Sequence, residues 1–448
     1  MGISGSMIDK RVFNLSAKVG ENHLKSECDY SKAQAVLFID LDKLEPGEFI
    51  TSLKQCLSYA IHWEVDFPSF SKACAPTFSE FDLELYLRSA IETFNRKPIS
   101  FRTDKEKDEA TGHIKLTGLK KENEEISHIV SAETQAKNWA EMPPNILSAE
   151  KFVSELKDEA KKLKVVCEVF NWESLKKKGF NLTCAVGQNK KNSYLVILKK
   201  GTGKSAQKIS LVGKGICFDT GGLSLKTGNY MVDMKFDMSG AALVGATFFA
   251  LAKTKFTPKH DLFALLTISE NLIGSESIKV DSVLTSFGGQ TVEISNTDAE
   301  GRLLLAEGIS YAAKELKSSE IISIATLTGA VKYALGTKYA GAWTTSDLIW
   351  EKLYRTSRYT GDYIWRLPLD KIYLKEMKSQ IADLKNAATT GAAGASRAAT
   401  FLAEFREKKD YIHLDIANVS NTEDKAKVAL APLLKTLYFY TKDFMTKK

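Results

Sequence analysis

The sequence predicts an α/β protein. A smaller N-terminal α/β domain precedes a larger C-terminal domain with a central mixed sheet flanked by helices on both faces. Three observations carry this. Short apolar runs alternate with helical patterns from about residue 149 onward, as a parallel or mixed sheet requires. Pro143-Pro144 ends a helical pattern and marks a junction, because proline cannot continue a helix. The length of 448 residues suits two or three domains, each able to bury its own core.

From the N-terminus, Gly2-Ile3-Ser4-Gly5-Ser6 reads as an appended leader, with the natural start expected at Met7. Residues 34–41 read as a buried strand. Residues 79–96 read as an amphipathic helix, with Phe81, Leu83, Leu85, Leu87 and Ile91 among charges. The polar stretch 102–125 is expected to hold turns and a short hairpin. Residues 7–125 thus form the N-terminal domain and show no chemistry. A linker helix occupies 126–142, and residues 143–448 form the second domain. There a helix is expected over about 149–163. Strands are expected at 193–198, 208–213, 261–268, 321–325 and 411–416, and helices at 239–253, 303–317 and 396–408. Ligands bind such sheets at the carboxyl ends of strands, which directs attention to residues 213–237 and 295–302.

Composition narrows the class. Hydrophobic residues make up 44% and charged residues 26%, ordinary for a soluble globular chain. A net charge of +7 is a weak signal for a polyanion partner in so long a chain. Six cysteines, at 28, 56, 74, 167, 184 and 217, form no C-x-x-C pair, so reduced thiols in a cytoplasmic protein are expected. No apolar run reaches the ~18 residues of a membrane span, and no signal peptide is recognisable.

The first candidate cluster runs from Gly213-Lys214-Gly215 through Asp219-Thr220-Gly221-Gly222 to Lys226, continuing to Met234-Lys235-Phe236-Asp237-Met238-Ser239. The second is Asn296-Thr297-Asp298-Ala299-Glu300-Gly301-Arg302-Leu303. Taken singly, each acid has an ordinary explanation: Asp219 as a turn former, Asp237 as a cap near Ser239, Asp298 and Glu300 at a helix N-terminus. Together, converging carboxylates would repel unless a cation neutralised them, and carboxylate oxygens suit divalent metals. Other chemistries fit less well. H-E-x-x-H and G-x-S-x-G are absent, and the six histidines (23, 62, 113, 128, 260, 413) lack metal-ligand spacing. Gly201-Thr202-Gly203-Lys204-Ser205 imitates the end of a P-loop, but Leu198 stands where its first glycine belongs; a hairpin turn is the expected reading.

The octapeptide 296–303 resembles the signature of the leucyl aminopeptidases, the cytosol aminopeptidase family. Gly213–Lys226 and Met234–Met238 resemble its second block, at matching spacing. Pro143-Pro144-Asn145, Ala325–Ala330 and His413-Leu414-Asp415-Ile416-Ala417 extend the likeness over about residues 135–420. The resemblance implies a metallo-exopeptidase that removes an N-terminal, leucine-like residue from peptides with a free N-terminus. It implies two divalent ions per subunit, Zn²⁺ or Mn²⁺, held by Lys214, Asp219, Asp237, Asp298 and Glu300, with Lys214 binding as a neutral amine. It further implies a bridging water or hydroxide as nucleophile, Lys226 polarising the scissile carbonyl, and Arg302 holding a bicarbonate-like anion as general base. Met234, Thr326, Leu327 and Gly329 fall at substrate-binding positions. The family's homohexamer, with no membrane association, is the implied assembly.

One departure stands out. Asn418–Lys427 replaces the family's Gly/Thr-rich turn after Asp-Ile-Ala, which bears on substrate preference more than on chemistry. Another metallohydrolase on this scaffold, such as a dipeptidase, is the alternative reading. Nucleic acid is not an expected principal partner; the lysine runs 176–178 and 190–191 are what an added polyanion-binding activity would use.

Overall fold

The computed structural model describes residues 12–19, 26–29, 34–39, 45–57, 62–75, 77–97, 99–102, 113–202, 205–388, 392–423 and 427–447. The segment 2–6, expected as a leader, lies outside the described residues. The chain divides into two compact units, residues 1–134 with 358–362, and 135–357 with 363–448.

The first unit contains β1 (Val12–Val19), β2 (Ser26–Asp29), β3 (Gln34–Ile39), α1 (Pro46–Leu57), β4 (His62–Asp66), α2 (Phe67–Cys74), α3 (Glu80–Asn95) and β5 (His113–Thr117). Its sheet has the order β2-β3-β1-β4-β5, parallel except for β2. Helix α3 starts where the amphipathic pattern predicts, because Ser79 and Asp82 form a reciprocal capping box. Phe49, Phe70, Phe78 and Tyr86 meet edge to face in the core of this unit. The hairpin expected within 102–125 falls partly on residues outside the described set. Its described strand, β5, is a parallel partner of β4, which lies far from it in sequence.

Helix α4 (Glu124–Glu141) covers the expected linker helix, and the division between the units falls inside it. It ends ahead of the two prolines, where Ile146 and Leu147 N–H close a turn on the Pro143 carbonyl. The second unit continues with α5 (Ala149–Lys162), β6 (Val166–Phe170), α6 (Trp172–Lys177), α7 (Asn181–Val186), β7 (Tyr194–Lys200), β8 (Lys208–Asp219), α8 (Ser239–Lys253) and β9 (Asp261–Asn271). Then come β10 (Val283–Thr285), β11 (Thr291–Glu293), α9 (Glu300–Lys314), β12 (Glu320–Ala325), α10 (Ala330–Leu335), β13 (Ala340–Thr344), α11 (Asp347–Thr360) and β14 (Ile364–Arg366). It closes with β15 (Leu384–Lys385), α12 (Gly394–Ala403), β16 (Asp410–Asp415) and α13 (Leu434–Thr446).

Eight strands form the mixed central sheet, ordered β14-β13-β16-β12-β8-β9-β7-β6. Strands β16, β12, β8 and β9 run parallel, so their carboxyl ends share one edge. Strand β13 joins β16 antiparallel and pairs parallel with β14, while β7 joins β9 and β6 joins β7 antiparallel. Helices cover both faces. Gly213 of β8 lies so close to α8 that a Cβ there would meet Ala241 at 2.7 Å, while the side chain of Val212, one residue earlier, reaches Gly308 of α9. Leu303, Leu304 and Ile309 of α9 pack with Val212, Leu265 and Ile321 in one continuous buried cluster.

Two sequence expectations need correction. Strand β8 runs to Asp219 rather than ending at 213, because Gly213 and Gly215 stay in register with β9 and serve the close approach of α8 instead of a turn. Strands β7 and β8, which flank the turn expected at 201–205, are not paired with each other: both pair with β9, which lies between them. Cys74, Cys184 and Cys217 are buried free thiols, and Cys167 is a partly exposed one. Among the described residues no helix is long and apolar enough to cross a membrane.

Candidate active site

All eleven residues singled out from sequence line one cavity of about 790 Å³ in the second unit: Lys214, Asp219, Lys226, Met234, Asp237, Asp298, Glu300, Arg302, Thr326, Leu327 and Gly329. The cavity lies at the carboxyl-end edge of the parallel strands, where β8 supplies Lys214 and Asp219, and Thr326 follows directly on β12.

Lys214 is almost wholly buried. Its Nζ lies 2.8 Å from Asp237 Oδ1, 2.8 Å from Glu300 Oε1 and 3.0 Å from the Thr326 carbonyl oxygen. Burial opposes its charge, but Asp237, Glu300 and Asp219 outweigh burial and hold its pKa above the ordinary lysine range. The side chain reaches this position because residue 301 is glycine. A Cβ at 301 would fall 2.6 Å from Lys214 Cε and 2.8 Å from Nζ.

Beyond Lys214 the β8–β9 register shifts between Ile216 and Asp219. The chain then turns through Gly221 and Gly222, both at positive φ (84° and 63°), a conformation that suits glycine. Asp219 Oδ1 accepts the Gly221 N–H at 2.9 Å and the Asn271 side-chain N–H at 2.8 Å. Lys226 returns to the same place, its Nζ 3.0 Å from Asp219 Oδ2 and 2.5 Å from Asp298 Oδ1. Burial again works against the ammonium, and Asp219 and Asp298 again raise it above its usual range.

The turn and the signature loop are stitched together by Thr297. Its hydroxyl donates to the Gly221 carbonyl at 2.6 Å and accepts the Ser224 N–H at 2.7 Å, while its own N–H donates to the Ser224 hydroxyl at 3.1 Å. Asn386 secures the other side. Its Oδ1 accepts the N–H groups of Ser295 (2.9 Å) and Asn296 (3.2 Å), and its Nδ2 donates to the carbonyls of Asn296 (2.6 Å) and Ala299 (3.4 Å). The main-chain oxygen of Asn386 accepts from Arg302 Nη1 at 2.5 Å. Burial lowers the Arg302 pKa to about 10.

Asp237 lies in a 3-10 turn (Met234–Met238) that begins at Met234, after Asp233 in the left-handed region (φ 67°). The sequence allowed Asp237 as a helix cap, but Met238 occupies the N-cap of α8 and makes no side-chain cap bond. Asp237 faces inward instead, accepting from Lys214 and from the Thr326 hydroxyl at 2.7 Å. Glu300, by contrast, is the first residue of α9, the N-terminal position its sequence suggests. Leu327 and Gly329 follow Thr326 along the wall, with Gly329 at the N-cap of α10.

The donor set suits divalent cations. Carboxylate oxygens of Asp219, Asp298 and Glu300 lie within 4.8 Å of one another. Asp237 Oδ2 and Glu300 Oε2 are buried and find no hydrogen-bond partner among the described residues, an expensive state for an anion that nothing else satisfies. Burial raises the pKa of Asp237, Asp298 and Glu300, with Asp219 adding to each, so the pocket disfavours its own negative charge. A cation among these oxygens would relieve both conditions.

The sequence reading missed Asn271 and Asn386, which carry no motif, and gave no role to Gly301 or Thr297, although both lie inside the octapeptide. The lysine runs are engaged locally: Lys178 lies over Phe170, Lys191 over Trp172, and Lys190 pairs with Glu270 at 3.6 Å.

Comparison with known proteins agrees with this architecture. Residues 134–437 match the model of the cytosol aminopeptidase family, catalytic domain. A probable cytosol aminopeptidase of Mycoplasma pneumoniae is 43% identical over 324 residues, covering 72% of this chain and 71% of that protein. The crystal structure of a cytosol aminopeptidase from Coxiella burnetii superposes with a TM-score of 0.81 at 24% identity, covering 98% of each chain. The bottromycin maturation enzyme BotP in complex with Mn superposes with a TM-score of 0.80 at 22% identity, covering 97% of this chain and 99% of that one. The chain therefore belongs to the cytosol aminopeptidase family and is a hydrolase of that family.

Proposed function

We propose that the protein is a two-metal aminopeptidase that removes a leucine-like N-terminal residue from peptides, with catalysis in residues 143–448. The observation that carries this reading is the convergence of Asp219, Asp237, Asp298, Glu300 and Lys214, with Asp237 Oδ2 and Glu300 Oε2 buried and without a hydrogen-bond partner among the described residues. These five residues would hold two divalent ions, Mn²⁺ or Zn²⁺, with Lys214 giving up its proton as the ions take over the charge of Asp237 and Glu300, so that it would bind as a neutral amine. Bound there, the ions would supply positive charge that acidifies an attacking water and anchors a free α-amino group.

The chain's own groups divide the remaining work. Lys226 keeps its charge between Asp219 and Asp298, within reach of a carbonyl presented to the cavity, where it would stabilise a developing oxyanion. Arg302 has a buried Nε with no hydrogen-bond partner among the described residues. It would hold a bicarbonate-like anion that accepts the proton of the attacking water. Met234, Thr326, Leu327 and Gly329 would contact the substrate, a flexible methionine suiting a leucine-like side chain. A homohexamer and a cytoplasmic location belong to the same reading, the first testable by sedimentation.

The decisive experiment compares leucine p-nitroanilide with its N-acetylated form, using chelator-stripped protein before and after adding Mn²⁺ or Zn²⁺. Metal-dependent hydrolysis of the free amine alone is expected. Full activity without metal, or equal cleavage of the blocked substrate, would sink the proposal.

A further inference from the structure

The wall of the cavity at residues 326–328 is held from two sides, and only one of them belongs to the proposed metal cluster. On the cluster side, the Thr326 carbonyl accepts from Lys214 and the Thr326 hydroxyl donates to Asp237. On the far side stands Asp415, the last residue of β16, which is wholly buried and is not one of the residues lining the cavity. Its Oδ1 accepts the Leu327 N–H and the Ala417 N–H, each at 3.1 Å. Its Oδ2 accepts the Thr328 hydroxyl at 2.7 Å. Leu327, Thr328 and Ala417 all line the cavity. One carboxylate thus joins two separate stretches of wall, residues 327–328 after β12 and residue 417 after β16.

The strands alone do not explain this join. Strands β12 and β16 pair in register up to Ala325 and Asp415, and a last backbone bond runs from Ile416 N–H to the Ala325 carbonyl. Beyond that point no strand hydrogen bond among the described residues joins the two loops, and the Asp415 side chain takes over. A bond from a buried carboxylate to main-chain N–H groups is charge-assisted and directional. It fixes the loop's backbone conformation, which a packing contact would not do.

We propose that Asp415 is a positioning residue for substrate binding, which locks the 326–328 loop to the segment after β16 and so sets the wall that meets the substrate. The proposal rests on the aminopeptidase reading. It predicts that loosening Asp415 weakens substrate binding more than it slows turnover, since Asp219, Asp298, Glu300 and Lys226 keep supports outside this loop and Lys214 keeps its pairs with Asp237 and Glu300.

The test uses the full chain carrying Asp415→Ala, Asp415→Asn, Thr328→Val, or Asp415→Ala with Thr328→Val. KM and kcat are measured on leucine p-nitroanilide in Mn²⁺, and amide hydrogen exchange is followed at 326–328 and, as a control, in α9. Asp415→Ala should raise KM by about tenfold, the effect of one or two lost net hydrogen bonds, with a much smaller change in kcat. Asp415→Asn keeps an oxygen for the Leu327 and Ala417 N–H groups and should recover most of the loss. Thr328→Val should raise KM alone but add nothing to Asp415→Ala, because the Thr328 hydroxyl acts through its bond to Asp415, which the alanine has already removed. Exchange should quicken at 326–328 and stay unchanged in α9. An unchanged KM with unchanged exchange would overturn the proposal, as would kcat falling in step with folded fraction while KM holds. If Asp415→Ala fails to fold, the Asp415→Asn and Thr328→Val pair decides on the same readouts. A wild-type chain that hydrolyses no free-amine substrate, while exchange still responds to Asp415, would overturn the functional reading and leave Asp415 a purely structural clamp.

Discussion

Asn386→Ala removes no proposed metal ligand, yet it should damage the site. The side chain satisfies two N–H groups and two carbonyls of the loop that carries Asp298 and leads into Glu300. Ser295 and Asn296 are half-buried, so water will reach part of what is exposed. An unsatisfied donor costs about 1–3 kcal/mol when fully buried, and two at partial burial give about 2–3 kcal/mol. The Arg302 contact goes to the main-chain oxygen of residue 386 and survives the substitution, so any loss reports on the loop. The assay pairs urea unfolding with titration of Mn²⁺ into chelator-stripped protein. Stability should fall by the amount above, and Mn²⁺ should bind about tenfold more weakly as Asp298 and Glu300 lose their fixed positions. Asn386→Asp should be worse, because a carboxylate would face the carbonyl oxygens of Asn296 and Ala299. An alanine variant with wild-type stability and wild-type Mn²⁺ affinity would refute the reasoning.

Gly301→Ala should cut activity by about tenfold or more, because it displaces Lys214, a proposed metal ligand, while unfolding stability changes much less. The new methyl collides with Lys214, yet alanine suits the first turn of α9 better than glycine by about 1 kcal/mol. An active Gly301→Ala enzyme would show that the Lys214 position is not needed. Glu307 predicts a pH effect on stability. Its buried carboxylate accepts the N–H groups of Leu182, Thr183 and Phe287, and burial still pushes its pKa up to about 7 from 4.5. With the folded value above the unfolded one, the folded chain binds the extra proton. Its contribution is therefore full below pH 4.5 and is lost as pH rises through 7, by about 3 kcal/mol. Urea unfolding at pH 5 and pH 8 should show this loss in the wild type and its absence in Glu307→Gln; equal pH dependence in both would count against it.

Much of the site was legible because its acids fall in two contiguous stretches, and the octapeptide fixes Asp298, Glu300 and Arg302 at once. Lys214 was legible only through the family pattern, since a lysine between two glycines otherwise reads as a surface residue. The extent of β8 was misjudged for a physical reason. Gly213 and Gly215 look like turn residues, and nothing local shows that α8 needs that space. Asn386 was out of reach altogether: it lies 84 to 91 positions from the groups it holds, and a lone asparagine announces nothing. The short strands β13, β14 and β15 were missed because segments such as Ala340-Gly341-Ala342 lack the apolar alternation that marks a strand. The larger outline came through, since long runs such as 261–268 depend on burial on both faces of a sheet, which composition alone records.

Four acids and two lysines in one pocket also show why such unremarkable residues matter. Each ammonium bridges two carboxylates, Lys214 between Asp237 and Glu300, and Lys226 between Asp219 and Asp298. The two lysines act as internal counterions and Arg302 adds a third positive charge, but four carboxylates still exceed three cations, and burial amplifies the imbalance. Left to itself, this repulsion would spread the loops apart. The loops cannot relax independently, because Thr297 ties the signature loop to the 221–224 turn, Asn386 ties it to the chain before α12, and Asp415 ties the opposite wall to β16. These residues hold a negatively charged geometry that the acids alone would abandon, and that held geometry is what a divalent cation would find ready-made. Substitutions of Thr297 or Asn386 should therefore weaken cation binding even though neither touches a cation, whereas substitutions of equal size on the outer face of α13 should not.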